Sequence, residues 1–348
     1  MKKLNISLPL SVLLLFSSCT GNAPTYELPV FPEETEATFE FIGEELTFSP
    51  SDIDIIEDYI VATGFERVTE NTLFVFDKNS GRLLKKGIRK GRGPAETLAG
   101  NREMTVHGDS VVLHDFLDKT RMAIPIMDFL SEDYTSVRKT ECALKAWNSF
   151  FTDTPDGRPV IIQSKGYLSQ DTIPVRSIVV RNPDGGDSSY DVDPIQDPKR
   201  TFVSSVYTRA AFSPESDKMA LIPSLHFVLE IFDIRNGIRN IATKYFTAPD
   251  YEVDGGSFRP SDNLIFGARD IYADSNVIYV VYDGVKTWKD KYSSRYQKVA
   301  LFSWKGKPVK VYLTNAGIHR ICYDTVSGCI YALVETEESG YRLGRLRI

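Results

Sequence analysis

Seven polar residues stand at points where they could meet around one ligand. Six come from recurring positions at or just before short apolar segments: Arg102, Asn148, Arg209, Arg269 and the pair His319 and Arg320. Asp52 occupies the matching position in the first such segment. The seventh, Arg92, lies in the loop "KKGIRKGRGPAE". Converging guanidinium groups bind carboxylates or phosphates through paired, charge-assisted hydrogen bonds. The chemistry on offer is therefore anion recognition, and these residues are the candidate ligand contacts.

Other chemistries fit less well. The glycines of the 85–96 loop do not form a phosphate cradle. Pro94 follows Gly93, no Gly-Lys-Ser/Thr ending occurs, and no helix opens there. The loop reads instead as a turn that Gly91, Gly93 and Pro94 shape. His107 and His114 bracket "GDSVVL", with Asp115 adjacent, and two histidines with an acid could hold a metal. A surface hairpin is the preferred reading, so neither a metal nor another cofactor is expected. No Gly-x-Ser-x-Gly elbow occurs, and no catalytic residue is assigned. The aromatic segment 282–304, with Trp288 and Tyr292, could stack on sugar rings, but reads better as cover for an edge.

These residues need elements to hold them. From about Ala37 onward, short runs rich in Val, Ile, Tyr and Phe are broken by Gly, Asp, Asn and Pro, the mark of an all-β chain. A unit of strand, polar turn and apolar strand recurs at 51–64, 102–115, 148–164, 208–224, 268–284 and 319–335. A further strand often follows with an Asp-to-Gly turn, as in "LFVFDKNSGRLLKKGI". Six such units predict a six-bladed β-propeller of four-stranded antiparallel blades. The last copy ends one strand short, and residues 37–48 supply the strand that joins it and closes the ring. The alternative is a pair of irregular sandwiches, but no low-complexity linker divides the chain. In a propeller the candidate residues would ring the mouth of the central channel.

The segment from Phe74 to Glu96 resembles the six-bladed, TolB-like or NHL-like propeller lipoproteins of Gram-negative bacteria. Ala95 stands where that group commonly carries glycine. The resemblance implies fold and address more than activity.

The first residues give the address. Lys2 and Lys3, an apolar stretch over 8–16, then Ser17, Ser18 and Cys19 make an export signal, too short to remain as a membrane span. Cys19 after small residues resembles a lipobox, although Phe16 replaces the usual Leu. That resemblance implies cleavage after residue 18 and lipidation of Cys19, the only membrane attachment expected. The protein is thus expected in the cell envelope at the outer membrane, periplasmic or surface-exposed. Residues 19–36 read as a flexible tether, and residues 37–348 as the propeller.

Removing residues 1–18 takes away two lysines and no acid, so the net charge of −6 becomes −8. That argues against nucleic-acid binding, which needs excess positive charge. The expected partner is an envelope protein, a peptide or a glycan bound without catalysis, with a propeller hydrolase or lyase holding a divalent ion as the alternative. The protein is expected to be a monomer. Cys322 and Cys329 flank a turn and could face each other across a hairpin, with Cys142 left over.

Overall fold

Strands packed on both faces read as continuous apolar runs, and strands with one wet face alternate. Both patterns are present, and they sort the strands by position. The computed structural model describes residues 24–98, 104–115, 117–118, 120–141, 149–165, 175–182, 184–192, 208–254, 257–284, 297–336 and 340–348.

Two N-terminal strands, β1 (Glu34–Ala37) and β2 (Glu40–Glu45), precede the blades. Blade one comprises β3 (Ser49–Ile56), β4 (Tyr59–Phe65), β5 (Asn71–Asp77) and β6 (Leu83–Arg89). Blade two has β7 (Met104–His107), β8 (Ser110–Asp115), β9 (Thr120–Pro125), a short helix α1 (Ile126–Ser131) and β10 (Arg138–Glu141). Blade three has β11 (Ser149–Asp153), β12 (Pro159–Lys165), β13 (Val175–Arg181) and β14 (Asp187–Val192). Blade four has β15 (Thr208–Phe212), β16 (Lys218–Pro223), β17 (Val228–Asp233) and β18 (Arg239–Tyr245). A hairpin, β19 (Tyr251–Asp254) with β20 (Ser257–Pro260), follows. Blade five has β21 (Asp270–Ala273), β22 (Val277–Tyr282), β23 (Lys298–Ser303) and β24 (Pro308–Thr314). Blade six has β25 (Gly317–Asp324), β26 (Cys329–Glu335) and β27 (Tyr341–Arg347).

Each blade is an antiparallel meander, and β2 pairs antiparallel with β27 to give blade six its fourth strand. The ring closes with strands from both ends of the chain, as the incomplete last repeat predicts. The second and third strands are nearly all buried, as in β5, while the outer β6 and β18 carry mostly exposed and half-buried residues, with Ile88 the one buried residue of β6.

Closure depends on two glycines. Gly43 of β2 and Gly81 of the β5–β6 turn both have φ +68°, and a Cβ on Gly81 would lie 2.6 Å from the Ile42 carbonyl carbon. Only a residue without a side chain lets these backbones meet. Gly81 also ends the Asp-to-Gly turn, where Ser80 donates its N–H to Asp77 Oδ1 at 2.7 Å.

The segment expected as a tether is partly packed. Phe31 is buried against Phe302 of blade five, and β1 adds in parallel to β24 as a fifth strand. A backbone hydrogen bond from Glu27 to Tyr245 and an ion pair of Glu33 with Lys310 also hold this stretch down. Residues 1–18 and Cys19 lie outside the described residues.

The core is a set of apolar layers between blades. Clusters fill the contacts of blades four with five, five with six, six with one, one with two, and three with four. Among the described residues no such cluster lies between blades two and three.

Candidate functional site

Arg209, Arg269, His319 and Arg320 do come together. Arg209 is the second residue of β15, Arg269 immediately precedes β21, and His319 and Arg320 lie in β25. Two β-bulges aim them. The register of β25 against β26 shifts between Ile318 and Arg320, leaving His319 as the extra residue. In β3 the register against β4 shifts between Pro50 and Asp52, leaving Ser51 as the extra residue. The two bulges touch: Arg320 Nε donates to the Ser51 carbonyl at 2.7 Å. Bulges re-aim side chains at sites like this one.

Asp270 is the hub of the cluster. Arg209 Nη1 lies 3.6 Å and Arg320 Nε 3.9 Å from its Oδ1, and Ile321 donates its N–H to its Oδ2 at 2.8 Å. Arg320 Nη1 donates to the His319 carbonyl at 2.7 Å, and Arg269 Nη2 donates to His319 Nδ1 at 2.6 Å. Met104 donates its N–H to Asp52 Oδ2 at 3.2 Å. Three guanidiniums thus share a half-buried mouth with the carboxylates of Asp52 and Asp270.

The electrostatics follow from that crowding. Burial, and then Arg209, hold the Arg320 pKa down to about 9. Burial and the three arginines push the His319 pKa well below its usual range, so the ring is neutral and accepts from Arg269. Burial, with Asp270 adding to it against the pull of Arg209, raises Asp52. Crowded cations of this kind favour an added anion.

Below the mouth the inner strands enclose a cavity of about 290 Å³, lined by residues including Asp52, Asp54, Thr105, Thr152, Asp153, Arg209 and Asp270. The strand-start pattern misses Asp54, although it follows Asp52 at the two-residue spacing that keeps side chains on one face. It accepts the Ile55 N–H at 2.8 Å. Burial raises its carboxyl pKa to about 7, against the Ile55 hydrogen bond and with help from Asp52.

Arg92 is not part of this cluster. It is exposed on its loop, and its charge acts on Asp118 of blade two. The loop is a tight structural turn: Gly93 donates its N–H to Glu96 Oε2 at 2.7 Å, and a Cβ on Gly91 would meet that same carboxylate. Arg102, Asn148, Trp288 and Tyr292 lie outside the described residues, as does Cys142.

A second polar group occupies the contact of blades two and three. Asp153 Oδ2 lies 3.2 Å from Arg121 Nη1, 3.8 Å from His114 Nε2 and 4.0 Å from His107 Nε2. The two histidines of the "GDSVVL" hairpin therefore do meet an acid, but it is Asp153 and not Asp115. Asp115 instead accepts N–H groups of Leu98, Leu117 and Asp118. Among the described residues no group of three His, Cys, Asp or Glu side chains is placed to hold a metal ion. Burial, then Arg121 and His107, hold His114 down to about 3, and burial raises Asp153 to about 6 against Arg121.

Cys322 and Cys329 are unbonded, buried thiols that do not face each other. The register places Cys322 opposite Tyr331 and Cys329 opposite Asp324.

The comparisons with known proteins agree with this architecture. Residues 30–325 match the TolB-like 6-blade propeller-like family. The chain belongs to that family. No curated protein sequence matches. Solved structures share the fold at low identity. A putative exported protein from Bacteroides fragilis is 12% identical, with TM-score 0.53 over 94% of this chain and 99% of that one. A gluconolactonase from Xanthomonas campestris is 13% identical, with TM-score 0.51 over 87% of each chain. The RRP9 WD40 repeats are 9% identical, with TM-score 0.51 over 89% of this chain and 97% of that one. An enzyme and a WD40 protein stand equally near this TolB-like chain, so the likeness carries fold and leaves function to the site.

Proposed function

We propose that this TolB-like propeller is a non-catalytic binding protein whose channel mouth takes an anionic group of a peptide, protein or glycan. The observation that carries this is the meeting of Arg209 and Arg320 at Asp270, with Arg269 beside them on His319, at the mouth of the cavity. Guanidinium groups gathered this closely suit a ligand carboxylate, which accepts bidentate hydrogen bonds from them. The cavity below is near the lower end of the size range of small-molecule sites, about 300 Å³.

The setting is a cell-envelope lipoprotein held at the outer membrane through Cys19. Two acyl chains on one residue anchor a protein without a spanning helix. Labelling with a radioactive fatty acid tests the anchor: label should enter the full chain and be lost in Cys19→Ala. Equal labelling of both chains contradicts it.

The ligand class is tested by thermal shift on the full chain in detergent. Acidic peptides and uronic-acid oligosaccharides should raise Tm, and their uncharged counterparts should not. Equal shifts from the uncharged compounds would remove the anion reading.

A further inference from the structure

The polarity of the cavity changes along its length. Arginines crowd the mouth, but Asp54 lies two strand residues below Asp52, a step of about 6.5 Å. Among the described residues no cation balances it. The charged neighbour that acts on it is another carboxylate, Asp52. Burial, and then the charge of Asp54, disfavour ionisation of the Tyr272 hydroxyl and the Cys322 thiol. The other deep carboxylate, Asp153, already has Arg121 at 3.2 Å. Asp54 is therefore the acid in this cavity best placed to receive a cation from a ligand.

We propose that the channel takes a short zwitterion of dipeptide length, its carboxylate held by the guanidiniums at the mouth and its ammonium by Asp54 below. This rests on the anion reading of the mouth and adds the second charge. An extended dipeptide spans about 7 Å, which matches the step between the two levels. Thr105 and Thr152, which also line the cavity, offer hydroxyls for the peptide group between the charges.

The experiment is calorimetric titration of the full chain with glycylglycine and with propionylglycine, in which a methyl group replaces the ammonium. Glycylglycine should bind about tenfold or more tightly than propionylglycine, the size expected for one charge-assisted contact. Asp54→Asn should bring the two within about threefold by weakening glycylglycine. The wild-type comparison needs no variant, so a folding defect in Asp54→Asn does not rescue the idea. Equal binding of both compounds to the wild type overturns the zwitterion and leaves the anion reading standing. Binding of neither overturns both.

Discussion

Arg269 of blade five donates to His319 of blade six, with Nη2 and Nδ1 2.6 Å apart. The acceptor has to be neutral imidazole, and burial with three nearby arginines keeps it so by driving its pKa far down. The histidine thus positions a guanidinium without adding a competing charge.

His319 does not titrate near its unperturbed pKa of about 6.5, so the pH dependence of carboxylate binding from about pH 5.5 to 8 should be the same in wild type and in His319→Gln. His319→Gln keeps an acceptor and should bind a carboxylate probe within about threefold of wild type, whereas His319→Leu should lose about tenfold, as for a lost charge-assisted hydrogen bond. Calorimetry across that pH range checks both. A sigmoidal rise in affinity below pH 6.5 that wild type shows and His319→Gln lacks would show that the ring protonates.

Asp54 should cost stability. Its folded pKa of about 7 lies above the usual 3.8, so the folded state binds its proton more tightly. Stability is lost as pH rises from about 3.8 to 7, and the penalty is complete above that. The limit is about 4 kcal/mol at 1.36 kcal/mol per unit, reduced to about 1–2 kcal/mol where channel water reaches the group. Asp54→Asn should raise Tm by a few degrees at pH 8 and little at pH 4. Scanning calorimetry at the two pH values decides it, and an equal change at both would contradict the assignment.

The contact of blades two and three should be acid-sensitive through His114. Its folded pKa of about 3 lies below the usual 6.5, so stability present above 6.5 is lost as pH falls toward 3. Asp153 acts the other way, with a folded pKa of about 6 that returns stability as pH falls below that value. His114→Gln should flatten the acid loss, and Asp153→Asn should steepen it. Urea unfolding at pH 8 and pH 4.5 measures both slopes. Parallel slopes for wild type and both variants would contradict these roles of His114 and Asp153.

Gly81 should not tolerate a side chain. Its φ of +68° and the 2.6 Å approach of a Cβ to the Ile42 carbonyl carbon combine backbone strain with a clash against the closing strand. Gly81→Ala should cost about 2–4 kcal/mol. Limited proteolysis should then cut first near β2, which the alanine would displace. Unchanged Tm would show that closure does not depend on this contact.

Much of the fold is legible in the sequence because every blade repeats the same local chemistry. Apolar runs give the second and third strands, and Asp-to-Gly turns such as Asp77 to Gly81 give the hairpins. The missing strand of the last repeat points to β2. The site is legible only in part. A bulge at Ser51 or His319 adds one residue without changing composition, so strand starts can be found but their aim cannot. Asp153 meets His107, His114 and Arg121 across two blades, a contact that has no spacing in sequence. The cysteines mislead because the four-residue turn after Asp324 sets Cys329 opposite that aspartate and not opposite Cys322. Arg92 misleads because a basic residue in a glycine loop looks the same whether it faces a ligand or Asp118.

The most direct test of anion binding at the mouth is calorimetric titration of propionylglycine into the full chain and into the Arg209→Ala, Arg269→Ala double variant. Wild type should bind one equivalent per chain, and the double variant should bind at least about thirtyfold more weakly, in line with the loss of two charge-assisted contacts. Equal affinity in both proteins, with the variant folded, would contradict the account.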